Sequence, residues 1–98
     1  METVKNPKTK LLDEGEKLRV KQMETLSGQL LPKHKASEES VLVVIEGVCV
    51  LKMAESEHTF EQGDSVIIPS DVWHQIKAIR DFKAIHIMPK AIRFEFTK

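Results

Sequence analysis

Turn signals divide this 98-residue chain into short segments that read as strands. Glycine or proline falls at Gly28, Pro32, Gly47, Gly63, Pro69 and Pro89. Between these positions the apolar residues run continuously or alternate, and no stretch repeats them at the three- and four-residue spacing of an amphipathic helix. Leu18 and Val20 alternate with Arg19 and Lys21, which predicts a strand. Val41–Ile45 is apolar at every position, so both of its faces are expected to be covered. Glu46-Gly47 turns into Val48–Met53, and Ala54-Glu55-Ser56-Glu57 reads as a polar hairpin tip. Glu61-Gln62-Gly63-Asp64 turns into Ser65–Ile68, which Pro69 ends. Trp73–Ile79 and Phe82–Met88 are expected to pair as a hairpin about Arg80-Asp81, and Ala91–Phe96 alternates Ile92, Phe94 and Phe96 with Arg93 and Glu95. Short strands with turns every ~8–12 residues predict an all-β sandwich or barrel. The length suits a single domain over residues 1–98, with a charged arm over 1–16 anchored by Leu11-Leu12 and a barrel over 17–98.

The charge balance narrows the partners. Fifteen Lys and Arg against fifteen Asp and Glu give a formal net charge of zero. Neither nucleic acid nor an anionic membrane is an expected partner, while weak self-repulsion suits a homodimer. The longest uninterrupted apolar run, Val41–Ile45, is far short of the ~20 residues of a membrane helix. No apolar stretch follows the opening charges as it would in a secretory signal, so the cytoplasm is the expected location. Cys49, in Val48-Cys49-Val50-Leu51, cannot form an internal disulfide and reads as a small core residue. A reactive thiol would need an electropositive, accessible setting. The chain has no glycine-rich phosphate loop and no serine in a nucleophile elbow. Its few aromatics are not interleaved with a basic stripe.

Two histidines stand in similar frames. His34 follows Gly28-Gln29-Leu30-Leu31-Pro32-Lys33, ahead of Val41–Ile45 and Glu46-Gly47. His74 ends Gly63-Asp64-Ser65-Val66-Ile67-Ile68-Pro69-Ser70-Asp71-Val72-Trp73-His74. The second frame resembles the cupin motif Gly-x5-Pro-x-Gly-x2-His-x3-Asn. The first resembles the outline Gly-x5-His-x-His-x3-4-Glu-x6-Gly, with Gly28, His34 and Gly47 in place. The resemblance spans roughly residues 25–90. It implies a double-stranded β-helix, or jelly-roll barrel, of a type that often dimerises and often holds a metal on three histidines and a glutamate.

Carried across residue by residue, the resemblance leaves two of those ligands. His34 and His74 match, but Ala36 stands at the second histidine, Ser40 at the glutamate, Asp71 at the motif glycine and Ala78 at the asparagine. Glu39 neighbours the Ser40 position with the wrong strand parity, and Glu38 has the right parity nearer the mouth. His86 is expected to face inward with Phe82, Ala84 and Met88, near His74, and to complete a site of His34, His74 and His86 for a divalent metal such as Zn, Ni, Fe or Mn. The alternative for His86 is a satisfied core histidine, and for His34 and His74 ordinary hydrogen bonding in a cavity. Ser40, Leu42, Trp73 and Met88 are the expected ligand contacts, with Trp73 lining the mouth or packing on the rim. Leu30, Ala36, Leu42, Val44, Ile76, Ala84 and Met88 are the expected cavity wall. The expected function is to bind a small molecule inside the barrel beside a weak or altered metal site. The alternative is a metal-dependent enzyme of isomerase, dioxygenase or decarboxylase type, for which no catalytic residue is assignable. The absence of tyrosine and the scarcity of inward acids count against demanding chemistry.

Overall fold

A computed structural model describes residues 3–97. It contains twelve strands and no helix among those residues: β1 Thr3–Val4, β2 Lys8–Glu14, β3 Leu18–Thr25, β4 Gln29–Leu30, β5 His34–Ala36, β6 Ser40–Glu46, β7 Val48–Met53, β8 Ser56–Glu61, β9 Ser65–Ile68, β10 His74–Ala78, β11 Phe82–Pro89 and β12 Phe94–Phe96. One sheet runs β1-β4-β10-β5-β12, with β7 and β8 continuing from β10; the other runs β2-β3-β11-β6-β9. The two curl against each other as a jelly-roll barrel. Leu42, Val44, Cys49 and Leu51 are the largest fully buried side chains between them. The charged opening segment is paired along its length, β1 to β4 and β2 to β3. No helix among the described residues is long and apolar enough to cross a membrane.

The expected hairpin between β10 and β11 does not form. β10 pairs with β7, β4 and β5, whereas β11 pairs with β3 and β6 in the facing sheet. Arg80-Asp81 is therefore a corner that carries the chain from one sheet to the other. Hydrogen bonds tie the corner down. Ile79 and Arg80 both donate their backbone N–H to the Val48 carbonyl. Ser27 donates its N–H to Asp81 Oδ1 at 2.7 Å and its hydroxyl to the Ile79 carbonyl at 2.9 Å. Gly47 packs directly on this corner. A Cβ there would fall on the Asp81 carbonyl oxygen, with Phe82 Cα at 2.8 Å, and the residue has φ +82°.

The phase of β3 is the second departure from pattern. Its inward residues are Arg19, Lys21 and Met23, opposite Met88, His86 and Ala84 of β11. Leu18 and Val20 face outward, and Leu18 is 53% exposed. On β6 the alternation is ordinary: Ser40, Leu42 and Val44 are buried, while Val41, Val43 and Ile45 are half-buried on the outer face. Cys49 is fully buried, and burial, with Asp64's charge adding to it, pushes its thiol up to about 11.

Asp71, at the place of the motif glycine, adopts φ +58° and donates its N–H to the Ala36 carbonyl at 2.7 Å. The backbone shape of the motif survives the loss of glycine because aspartate tolerates the left-handed region better than most residues. Two substitutions separate these positions. Asp71→Gly is expected to raise the unfolding free energy by up to about 1 kcal/mol, since glycine takes that conformation without a Cβ penalty. Gly47→Ala is expected to lower it by at least about 2 kcal/mol, because the clash is with backbone that cannot move aside. Urea unfolding of both variants reads the two signs; a neutral Gly47→Ala would disprove the tight corner.

Candidate functional site

A cavity of about 220 Å³ lies between the sheets. β5 and β10 run antiparallel with His34 directly opposite His74. Their ring centroids are 4.3 Å apart with the planes at 63°. Each ring is held by the chain just before it: His34 Nδ1 lies 2.9 Å from the Pro32 carbonyl and His74 Nδ1 lies 3.0 Å from the Val72 carbonyl. A carbonyl can only accept, so Nδ1 carries the proton in both rings and Nε2 of the neutral ring is an acceptor. Among the described residues neither Nε2 has a hydrogen-bond partner.

His86 reaches the same cavity from the facing sheet, where it lies between Leu42 and Lys21 on the neighbouring strands. Its Nε2 is 2.8 Å from Ser40 Oγ. Ser40, at the place of the motif glutamate, is buried, and its hydroxyl is engaged by this imidazole. Burial, followed by the fields of His34, His74 and Lys21, pushes His86 down to about 4. Burial also lowers His74, against the raising effect of its bond to Val72.

The floor is apolar, formed by Met23, Leu31, Leu42, Ile68, Ile76 and Met88. Exposed lining residues mark the rim: Asn6 and Thr9 from the opening segment, and Phe94 and Phe96 from β12. Phe94 meets the His34 ring edge-on at 5.5 Å, and Phe96 lies tilted at 5.4 Å. Arg19 and Lys21 complete the wall, and no Asp or Glu belongs to it. A wider groove of about 620 Å³ at the Asp81 end mixes Lys5, Lys8 and Lys83 with Glu24, Glu46 and Asp81 and holds no histidine. The convergence of imidazoles makes the smaller cavity the candidate site.

The residues singled out in the sequence are placed as follows. His34, His74, His86, Leu42 and Met88 line the cavity, and Ser40 touches it through His86. Trp73 lies outside the lining: strand alternation turns it away from His74's side, and Lys35 Nζ sits 5.1 Å above its ring. Glu38 and Glu39 are exposed. Of the expected wall, Leu42, Ile76 and Met88 are in place; Leu31 takes the position expected of Leu30, and Ala36 is buried with Met88 and Ile92. Lys21, Arg19, Phe94 and Phe96 were not expected. Their signal was present, in the alternation about Leu18 and Val20 and in Ile92-x-Phe94-x-Phe96, but neither alternation fixes which phase faces in.

The donor set does not fit a resident metal. A divalent first-row ion requires about three or four protein ligands. Here two Nε2 atoms are available, the third imidazole is engaged by Ser40, and an ammonium shares the cavity. Among the described residues no group of three or more His, Cys, Asp or Glu is arranged to hold a metal ion.

Comparison with known proteins places this geometry. A family model described as "Cupin domain" matches residues 22–88. No curated protein matches the chain. Among solved structures, a cupin-2 domain containing protein from Shewanella frigidimarina is similar at 20% identity and a TM-score of 0.79, over 88% of this chain and 83% of that one. A cupin superfamily protein from Desulfitobacterium hafniense is similar at 13% identity and a TM-score of 0.78, over 86% and 77%. Salicylate 1,2-dioxygenase from Pseudaminobacter salicylatoxidans is similar at 18% identity and a TM-score of 0.83, over 93% of this chain but 30% of the dioxygenase. At these identities the likeness is one of fold.

The depressed histidines set a pH dependence. His86 titrates at about 4 when folded and at the ordinary 6.5 when unfolded, so the unfolded chain takes up the proton first. The stability is full above about pH 6.5 and falls as pH drops towards 4. His74 acts in the same direction. Between about pH 7.5 and 5.0 the unfolding free energy is expected to fall by roughly 1–2 kcal/mol, less than the bare shift implies because water reaches the rim. His86→Gln, which can still bond Ser40 and does not titrate, is expected to remove at least about half of that loss. An undiminished loss in urea unfolding would assign it to other groups.

Proposed function

The chain belongs to the cupin domain family, and on that footing we propose that its barrel binds a compact, mostly apolar small molecule directly. The observation that carries this reading is the His34–His74 pair, two adjacent acceptor nitrogens without a protein partner above an apolar floor. Such a site orients a ligand through a few polar contacts and binds it through apolar burial. A cavity of about 150 Å³ admits a benzene ring, so about 220 Å³ holds a ring with one or two small substituents. In keeping with an organic ligand, the fold neighbour salicylate 1,2-dioxygenase has been solved in complex with gentisate. A divalent cation would meet only two free imidazoles and bind weakly. A metal-dependent reaction therefore has less support here than binding.

We also propose that a second copy of the chain covers the outer face of the five-stranded sheet. Val20, Ile87, Val41 and Ile67 lie side by side across β3, β11, β6 and β9 and form an apolar row. Ile67 is 54% exposed. Further along the same face Lys83 lies 3.5 Å from Glu24 and 3.9 Å from Glu46 and offsets one of their two charges.

Imidazole resonances test the first reading, with His58 on the exposed β8 as internal control. A small-molecule panel is expected to yield compounds that shift His34, His74 and His86 and raise the melting temperature while leaving His58 unmoved. Hits that move only His58, or protein that retains stoichiometric zinc through gel filtration, would overturn it. Sedimentation equilibrium tests the second reading: a dimer is expected, reduced to monomer by Val41→Lys, and a clean 11.2 kDa monomer would reject it.

A further inference from the structure

Resting on the reading of the barrel as a binding cavity, we infer that its ligand is a small organic anion, a compact apolar monocarboxylate whose carboxylate is held by Lys21. The phase of β3 is the first observation. It turns Arg19 and Lys21 into the cavity and Leu18 and Val20 out, opposite to what burial favours. The second is the fate of the two cations. Arg19 is committed to Glu14, its Nε 2.8 Å from Oε2, whereas Lys21 has no ion pair among the described residues. The third is the lining, which contains no carboxylate to answer Lys21. The histidines that share the cavity supply no negative charge in either protonation state.

A half-buried lysine in the cavity wall, over an apolar floor and with no carboxylate in the lining, favours a ligand that brings the counter-charge. Lys21 lies directly across from His86, so a carboxylate on Nζ leaves the apolar body of the ligand over Leu42 and Met88. The Nε2 atoms of His34 and His74 then accept from any hydroxyl or amide the ligand carries. The site selects for one negative charge and against a cation, because the Lys21 ammonium repels a positive group and the lining holds no carboxylate to attract one.

The test compares benzoate with its neutral isostere benzamide on the full chain near neutral pH, by calorimetry and by the cavity histidine resonances. Benzoate is expected to bind about ten- to a hundredfold more tightly, the range of one charge-assisted hydrogen bond, with the preference shrinking as salt rises. Lys21→Met is expected to abolish the preference by weakening benzoate at least tenfold while benzamide changes by less than that, and both compounds still move the cavity histidines. Lys21→Arg is expected to retain it, and Arg19→Met to change it less than Lys21→Met does. Equal binding of benzoate and benzamide to the wild type would overturn the anion assignment and leave the binding cavity standing. Failure of both compounds to move the cavity histidines would overturn both. A preference that survives in Lys21→Met would remove Lys21 from the site.

Discussion

The inside of this barrel depends on the register of β5 against β10. His34 stands opposite His74 because these two short strands pair at that one position. A slip by one residue would turn either imidazole to the outer surface, beside Trp73 and Lys35. Neither strand is long enough to set the register by its own ladder. It is set from outside the ladder, by the bond from Asp71 N–H to the Ala36 carbonyl and by the five-residue pairing of β10 with β7. The left-handed turn at Asp71 aims that N–H. The same stretches of chain then supply the Pro32 and Val72 carbonyls that fix the ring tautomers. One backbone arrangement thus determines the position, the orientation and the hydrogen-bonding sense of both histidines.

The frames around these histidines made the fold legible from sequence. Turn glycines, Pro69 and continuous or alternating apolar runs specify short strands, and the spacing of the frames specifies the barrel. The loss of Ala36 and Ser40 as ligands was equally legible, because an alanine has no donor and a serine no charge. The path of the chain around Arg80-Asp81 was less accessible. Two apolar strands joined by two polar residues read as a hairpin, and nothing local distinguishes a hairpin from a corner. The difference lies in Ser27, more than fifty positions away, and in Gly47, whose missing side chain makes room for the corner. His86 consequently reaches the cavity from the sheet facing His74, and its Nε2 is met by Ser40 on the next strand instead of by the other imidazoles.

The phase of β3 was unreadable for another reason. Alternation identifies a strand but not the side that faces in, and the default assignment puts Leu18 and Val20 inside. Pairing with β11 decides otherwise: once Ala84 and His86 face the cavity, Met23 and Lys21 opposite them must as well. Local preference and tertiary register disagree here. Natural sequences concentrate such disagreements where function requires them.

The phase of β3 puts Lys21 into a cavity wall that has no carboxylate and adds Val20 to the apolar row of the outer face. The two lie on opposite faces of the sheet, so relieving one does not relieve the other. A second copy on the outer face would bury Val20, Ile87, Val41 and Ile67 but leave Lys21 unanswered. An anion in the cavity would answer Lys21 but leave the row in water. Each event raises the apparent stability of the folded chain by its own mass action, and β3 contributes a residue to each.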